Sequence, residues 1–419
     1  MTMNEPDFAS FLNSFYDSAA GILSANTATN YIFTPQLMKG TAFLDTLSNT
    51  LSAFERPIGK TLMMMEDDLM GFFQPKANKD HLPLFPYISN GKLHIRGMEA
   101  DKMLMVPLIM DFTKRQSAMD RLYYAFPAED RLMPYLEAAI NGIKEYYNER
   151  PDGLFEFYPF AGINPANHSF DYMERLLSEY VNTSHTMHAP HKVPKKPCYG
   201  IKIYPPLGFN PWPDQKDELE KNRYLYSFCE KNRIPITTHT DDQGFRGVSA
   251  EEAWAYTVPA KWRTVLENYP GLTIDFAHFG KQYAIASRSN VQSIAAKLRH
   301  HPDSPWFYSI ISLMKDFDNV YADFSFSGCN PAFYDGLIAF LNDQKDNDRE
   351  RMISRILFGS DFSVNLLKVE SYTEYYSIFE DSGFSDDEIR KIAEENAMRF
   401  IGLSEGAIGN RKGKRLLTI

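Results

Sequence analysis

From about residue 100 onward, apolar and polar positions fall into two alternating textures. Short runs rich in β-branched and aromatic residues are separated by longer segments in which apolar residues return at helical spacing. This is the sequence form of repeated βα units around a parallel sheet. The short runs are Met103–Asp111, Leu154–Gly162, Tyr199–Tyr204, Ile234–His239, Leu272–His278, Val320–Phe326 and Ile356–Asp361, and they start 35 to 51 residues apart. Each interval leaves room for a crossover helix and a loop. Helices are predicted at 132–147, 171–181, 217–231, 291–299, 332–342 and 386–400.

Seven consecutive strands of this kind lack one to close an eight-stranded barrel, whereas a doubly wound sheet is usually shorter and opens on a glycine-rich turn. The expected fold is therefore α/β, a single (β/α)8 TIM-type barrel over residues 1–403, followed by a C-terminal tail, 404–419. The missing first strand is assigned to Thr29–Phe33, which Pro35 ends, and the stretch from about 36 to 100 becomes a long insertion between strands one and two. Its Met63-Met64-Met65 run reads as adaptable core filler rather than a ligand box.

Composition narrows the function. The 419 residues carry 44 Lys+Arg against 54 Asp+Glu, a formal charge of −10, which excludes a general nucleic-acid binder. Cys198, Cys229 and Cys329 lie far apart without CxxC spacing, as expected of a reduced, cytoplasmic protein. The N-terminus lacks the basic and apolar regions of a signal peptide, and no apolar run reaches spanning length, so no membrane is expected as a partner. The basic cluster Arg411–Arg415 reads as a solvated tail.

The chemistry concentrates where predicted strands end. Three runs finish in His239, His278 and Asp361, and the C-terminal ends of barrel strands meet at one mouth. Two imidazoles and a carboxylate suit a divalent ion, Zn²⁺ first, with Mn²⁺ and Fe²⁺ as alternatives. Gly359 leaves the face beneath Asp361 without a side chain, room for a water or a substrate atom. Each residue has a structural alternative: a strand-end histidine bonded to backbone, or an aspartate capping the next helix. Lys202, Tyr204 and Arg246 are placed to meet a substrate carboxylate, although Arg246 could equally pair with Asp241 or Asp242.

The runs Gly200–Pro205, Ile234–His239, Asp275–Gly280, Asn319–Phe324 and Leu357–Asp361, with the closing segment Ile392–Leu403, resemble the amidohydrolase superfamily. The likeness is to its amidohydrolase-related branch of metal-dependent hydrolases and aminocarboxymuconate-semialdehyde decarboxylase-like enzymes. It covers roughly residues 100 to 403. It implies His239 and His278 as metal ligands, Asp361 as the carboxylate that binds metal and handles the proton of the attacking water, and Lys202 as a bridging or substrate-contacting lysine. The chain departs from the pattern at strand one, where Thr29-Asn30-Tyr31 stands in place of His-x-His.

The expected function is a metal-dependent hydrolase acting on a small carboxylate-bearing or cyclic substrate, with Asp361 and His278 catalytic. The alternatives are a non-oxidative decarboxylase and a metal-depleted ligand-binding barrel. The expected partners are a small-molecule substrate and, through the aromatic-rich insertion, a second copy of the chain.

Overall fold

A computed structural model describes residues 56–71, 87–113, 132–242, 244, 246–282 and 306–403, with the backbone of 416–418. Its strands, in chain order, are β1 (Ile88–Ser89), β2 (Lys92–Ile95), β3 (Met98–Ala100), β4 (Lys102–Met105), β5 (Phe155–Phe157), β6 (Phe160–Gly162), β7 (Gly200–Ile203), β8 (Ile236–Asp241), β9 (Ile274–Lys281), β10 (Val320–Asp323), β11 (Ile356–Leu357) and β12 (Leu416–Thr418). The helices that concern the argument are α1 (Ile58–Leu69), α2 (Leu132–Glu149), α3 (Phe170–Tyr180), α4 (Lys216–Asn232) and α5 (Tyr372–Glu380).

All seven runs predicted from residue 100 onward contain strands. β6 to β11 form a six-stranded parallel sheet in chain order, and β12, β4 and β5 form a second parallel sheet. β5 and β6 are the two halves of the predicted run 154–162. Pro159 has no N–H to donate and interrupts the ladder. Even so, Tyr158 donates to the Met105 carbonyl at 2.8 Å and Phe160 to that of Pro107 at 2.9 Å, which keeps both halves beside one neighbouring chain.

The two sheets thus run into one another. From β4 to β11 the strands follow sequence order without the reversal that marks a doubly wound sheet, which is the TIM-type winding, and β12 is added beside β4. Among the described residues, no ladder joins β11 to β12.

The predicted first strand, Thr29–Phe33, and the predicted helix at 291–299 lie outside the described residues. The edge of β4 that a preceding strand would use is paired with β12, Leu416 opposite Lys102 and Thr418 opposite Leu104. Part of the expected C-terminal tail is therefore a strand.

The parallel strands are buried on both faces: every residue of β7 and β8, and all of β9 except Lys281, is buried. The surrounding helices bury one stripe each, as α3 does with Met173, Leu176 and Leu177.

The described part of the insertion is α1 and the antiparallel meander β1–β3. Met63 and Met65 are buried in the core, the filler role expected of them. A Cβ at Gly142 of α2 would stand 2.6 Å from Ile58 Cβ, so only glycine lets α1 and α2 approach this closely. The meander is tied to the barrel by Arg96, which donates to the carbonyls of Glu380, at 2.7 Å, and of Phe384, at 2.5 Å. No helix among the described residues is long and apolar enough to cross a membrane.

Candidate functional site

His239 lies in β8 and His278 in β9, both buried, and the two strands are direct parallel neighbours with His239 opposite Ala277. At the end of β9 the backbone turns left-handed for three residues, His278 (φ 65), Phe279 (φ 54) and Gly280 (φ 67). Two of these are not glycine, and such strain persists only where the surroundings enforce it. The turn brings His278 Nε2 to 3.1 Å from His239 Nδ1.

The other nitrogen of His278 is fixed by the strand beside it. Nδ1 lies 3.0 Å from the Ser325 carbonyl and 2.9 Å from Ser325 Oγ. The hydroxyl spends its proton on Asp323 Oδ1 at 2.5 Å, and a carbonyl can only accept. His278 Nδ1 is thus the donor, which leaves its Nε2 lone pair facing His239. Asp323 Oδ1 also accepts the backbone N–H of His278, at 3.1 Å, and of Ser325, at 2.8 Å.

Beneath the histidines is a buried charge cluster. Lys202 of β7 is 5 % exposed, and burial pushes its ammonium below the usual lysine range against the opposing pull of Asp323, Asp361 and Asp275. Burial, and then the neighbouring Asp323 charge, push Asp275 well above the ordinary carboxylate range. A hydrogen bond to Asp323 acts in the same direction, while Lys202 and Thr237 oppose it.

The Tyr204 ring stacks on His239 at 4.3 Å and 26°, and Lys202 Nζ lies 6.0 Å from the centre of that ring. Gly244, with φ 103, crosses over this pair. A Cβ there would collide with the Tyr204 hydroxyl and come within 3.2 Å of His239 Nε2.

The structure thus brings together His239, His278, Lys202 and Tyr204. Arg246 is half-buried on the loop that carries Gly244. Asp361 is half-buried after β11 at a left-handed φ of 57, and its charge acts on Lys202 and Lys281.

One expectation is corrected. The space beside Gly359 is taken by protein: a Cβ at 359 would lie 3.0 Å from Ser325 Cβ and 3.1 Å from Asp323 Cγ. Glycine is needed there to admit the Asp323 carboxyl, not a water.

Asp323, Asp275 and Ser325 were absent from the sequence reading. Asp323 ends β10 in the structure but lies in the middle of the predicted run Val320–Phe326, so no run-end signal marked it. Asp275 lies inside a run, where only the fold shows that it faces Lys202.

His185, His188 and His191, in the loop before β7, lie away from this site. His191 Nε2 is 2.8 Å from Lys102 Nζ at the start of β4, and His188 Nε2 is 3.0 Å from the Phe157 carbonyl. His94 is bound within the meander, 3.0 Å from Ser89 Oγ.

The histidine pair suits part of a metal shell. A separation of 3.1 Å is an ordinary N–H···N distance, and it is also close to that of two nitrogens each about 2.0–2.1 Å from one tetrahedral zinc. Passing the second N–H to a carbonyl is the usual outer support of a ligating histidine. Among the described residues, no third His, Cys, Asp or Glu joins the pair in a set able to hold an ion.

A parallel α/β fold with histidines, a lysine and carboxylates at its strand ends defines the class of protein. Residues 195–403, which contain β7 to β11 and all these side chains, match the amidohydrolase family.

No curated protein matches the sequence. Among solved structures, an uncharacterised TIM-barrel protein from Bordetella bronchiseptica is 18% identical over 63% of this chain and 72% of its own, with a TM-score of 0.39. A 2,6-dihydroxybenzoate decarboxylase in complex with 2,6-dihydroxybenzoate is 16% identical over 67% and 80%, with a TM-score of 0.37. A probable 2-pyrone-4,6-dicarboxylic acid hydrolase from Acinetobacter baumannii is 13% identical over 71% and 98%, with a TM-score of 0.39. These are partial likenesses, and the likeness to the amidohydrolase family rests on the sequence match over residues 195–403.

Proposed function

We propose that this protein is a metal-dependent hydrolase acting on a small carboxylate-bearing or cyclic substrate at the mouth above β7 to β11. The observation that carries the reading is the 3.1 Å approach of His239 Nδ1 to His278 Nε2, with His278 Nδ1 committed to Ser325, inside the family-matched segment. His239 and His278 would hold a divalent ion, zinc before manganese or iron, and Asp361 would complete the set only by moving in from the loop after β11, since it does not join the pair in the described arrangement. When bound, such an ion supplies a Lewis acid and a more acidic water.

The chain's own residues divide the remaining work. Asp361 accepts the proton of the attacking water and returns it to the leaving group. Lys202 and Tyr204 orient the substrate from the β7 side, and Arg246 meets its carboxylate from the loop above. The Tyr204 ring and Gly244 cover His239 and keep bulk water off that face.

The test is a metal determination on protein purified without chelator, beside His239→Ala. Near-stoichiometric metal that falls sharply in the variant supports the reading. No metal, together with an unchanged melting temperature on adding Zn²⁺ or Mn²⁺, overturns it, because a ligand of the native state must raise stability by mass action. Release of carbon dioxide instead of a hydrolysis product would move the reaction to decarboxylation on the same residues.

A further inference from the structure

Helix α5 follows the loop that carries Asp361, and the hydrolytic reading gives it no part. Like any helix it leaves N–H groups without an internal partner at its start and carbonyls at its end. At its start, Ser371 Oγ accepts the Glu374 N–H at 3.0 Å, and Asp68 of α1 serves Thr373 twice. Asp68 Oδ2 accepts the Thr373 N–H at 2.9 Å, and the Asp68 carbonyl accepts from Thr373 Oγ1 at 2.8 Å.

At the end of α5, Arg96 of the meander supplies the donors. Its backbone N–H reaches Glu380 Oε1 at 2.8 Å, and its guanidinium donates to the carbonyls of Glu380, Ser382 and Phe384. Arg96 does this from a left-handed backbone, φ 43, which a residue other than glycine keeps only where its surroundings enforce it. Between the ends, the Tyr87 ring meets Tyr376 edge-on, with 4.6 Å between centroids. A carboxyl at the N-terminus and a guanidinium at the C-terminus also match the helix dipole. The insertion thus holds α5 at both ends.

The same helix holds the chain on either side of Asp361. The buried Tyr375 hydroxyl donates to the carbonyl of Gly359, two residues before Asp361. The Tyr372 ring packs edge-on against Phe362, one residue after Asp361, with 5.6 Å between centroids. The Tyr375 hydroxyl also lies 3.5 Å from the Phe324 carbonyl, and a Cβ at Gly328 would stand 2.9 Å from it. The turn after β10 and the loop after β11 therefore meet at one oxygen.

We infer that Tyr375 is a positioning residue for Asp361, and that the insertion, through Asp68 and Arg96, sets where α5 holds it. With Gly359 and Phe362 as fixed points, only the short stretch between them swings when Asp361 moves toward the histidine pair. Little conformational freedom is then lost on seating it. The ligand role of Asp361 rests on the hydrolytic reading, whereas its placement by α5 does not.

Hydrogen–deuterium exchange of the full chain, read by peptide mass spectrometry, tests the placement without metal. Tyr375→Phe keeps the ring and removes only the tie, and Asp68→Ala removes the hold of α1. Each should speed exchange of the 360–368 amides by roughly fivefold relative to those of β8, the weight of about one hydrogen bond. A loop that exchanges at the parent rate, or a rise no larger than that of β8, overturns the inference.

Zinc binding, measured by chelator competition, tests whether Tyr375 acts through Asp361. Tyr375→Phe should weaken binding roughly tenfold in the parent and add nothing in an Asp361→Asn background. Unchanged or tighter binding in the parent overturns the inference, and so does a full tenfold loss in the Asp361→Asn background, which would route the effect through the turn after β10. A parent that binds no zinc removes the hydrolytic reading, while the exchange rates still decide the placement.

Discussion

His278 directs its Nδ1 at the Ser325 carbonyl, 3.0 Å away, and that bond decides which nitrogen of the ring meets His239. The same serine gives its hydroxyl proton to Asp323, so one residue of the loop after β10 fixes both the tautomer of a β9 histidine and the position of a β10 carboxylate.

Replacing Ser325 by Ala keeps the carbonyl and removes the hydroxyl. His278 should become less firmly oriented, and zinc affinity should fall about tenfold, the low end for loss of an outer partner of a metal ligand. A competition titration with a chromophoric chelator measures it, with unchanged circular dichroism as the control. Unaltered affinity would place the orientation of His278 in the carbonyl alone.

Gly359→Ala should disturb the site through packing. The new methyl would press on Ser325 Cβ and Asp323 Cγ at 3.0 and 3.1 Å, which must move. Overpacking of this kind costs about 1–3 kcal/mol. Urea denaturation should show the loss, and a variant as stable as the parent would mean that Asp323 moves freely.

Asp111 and His168 pin the loops after β4 and β6 together. The His168 Nε2 to Asp111 Oδ2 distance is 2.7 Å, Asp111 also accepts the N–H groups of Thr113 at 2.9 Å and Asn164 at 2.8 Å, and both side chains are buried. Asp111→Ala would orphan all three donors and should cost about 3–5 kcal/mol. His168→Asn keeps a donor and should cost less. Chemical denaturation of the two variants tests the order, and equal losses would contradict it.

Asp68 carries a pH signature away from the mouth. Burial outweighs the Thr373 hydrogen bonds and pushes it up to about 6. A carboxyl raised on folding stabilises most below its unfolded value near 3.9, and that contribution is lost as pH rises toward 6. Melting temperatures of the parent should therefore fall, relative to Asp68→Asn, between pH 4 and 6 and then run parallel. Parallel curves throughout would show that Asp68 ionises normally in the fold.

The strands were legible because a parallel barrel strand is buried on both faces and must be apolar along its length. Ile234–His239 and Leu272–His278 show this without reference to their neighbours. The strand-end histidines were legible for the same reason, as polar residues that close an apolar run. Sequence alone could not show that His278 would turn through three left-handed residues to reach His239, or that Gly359 exists to admit Asp323. Those outcomes depend on what neighbouring strands bring to the same point.

The C-terminal strand makes the contrast sharpest. Leu416–Thr418 is too short to announce itself, and it pairs because β4 offers unpaired backbone groups along one edge. Hydrophobic pattern, which is local, determined the βα order and the candidate ligands. Register, close approach and the charges around Lys202 act between segments distant in the chain, and only the tertiary structure decided them.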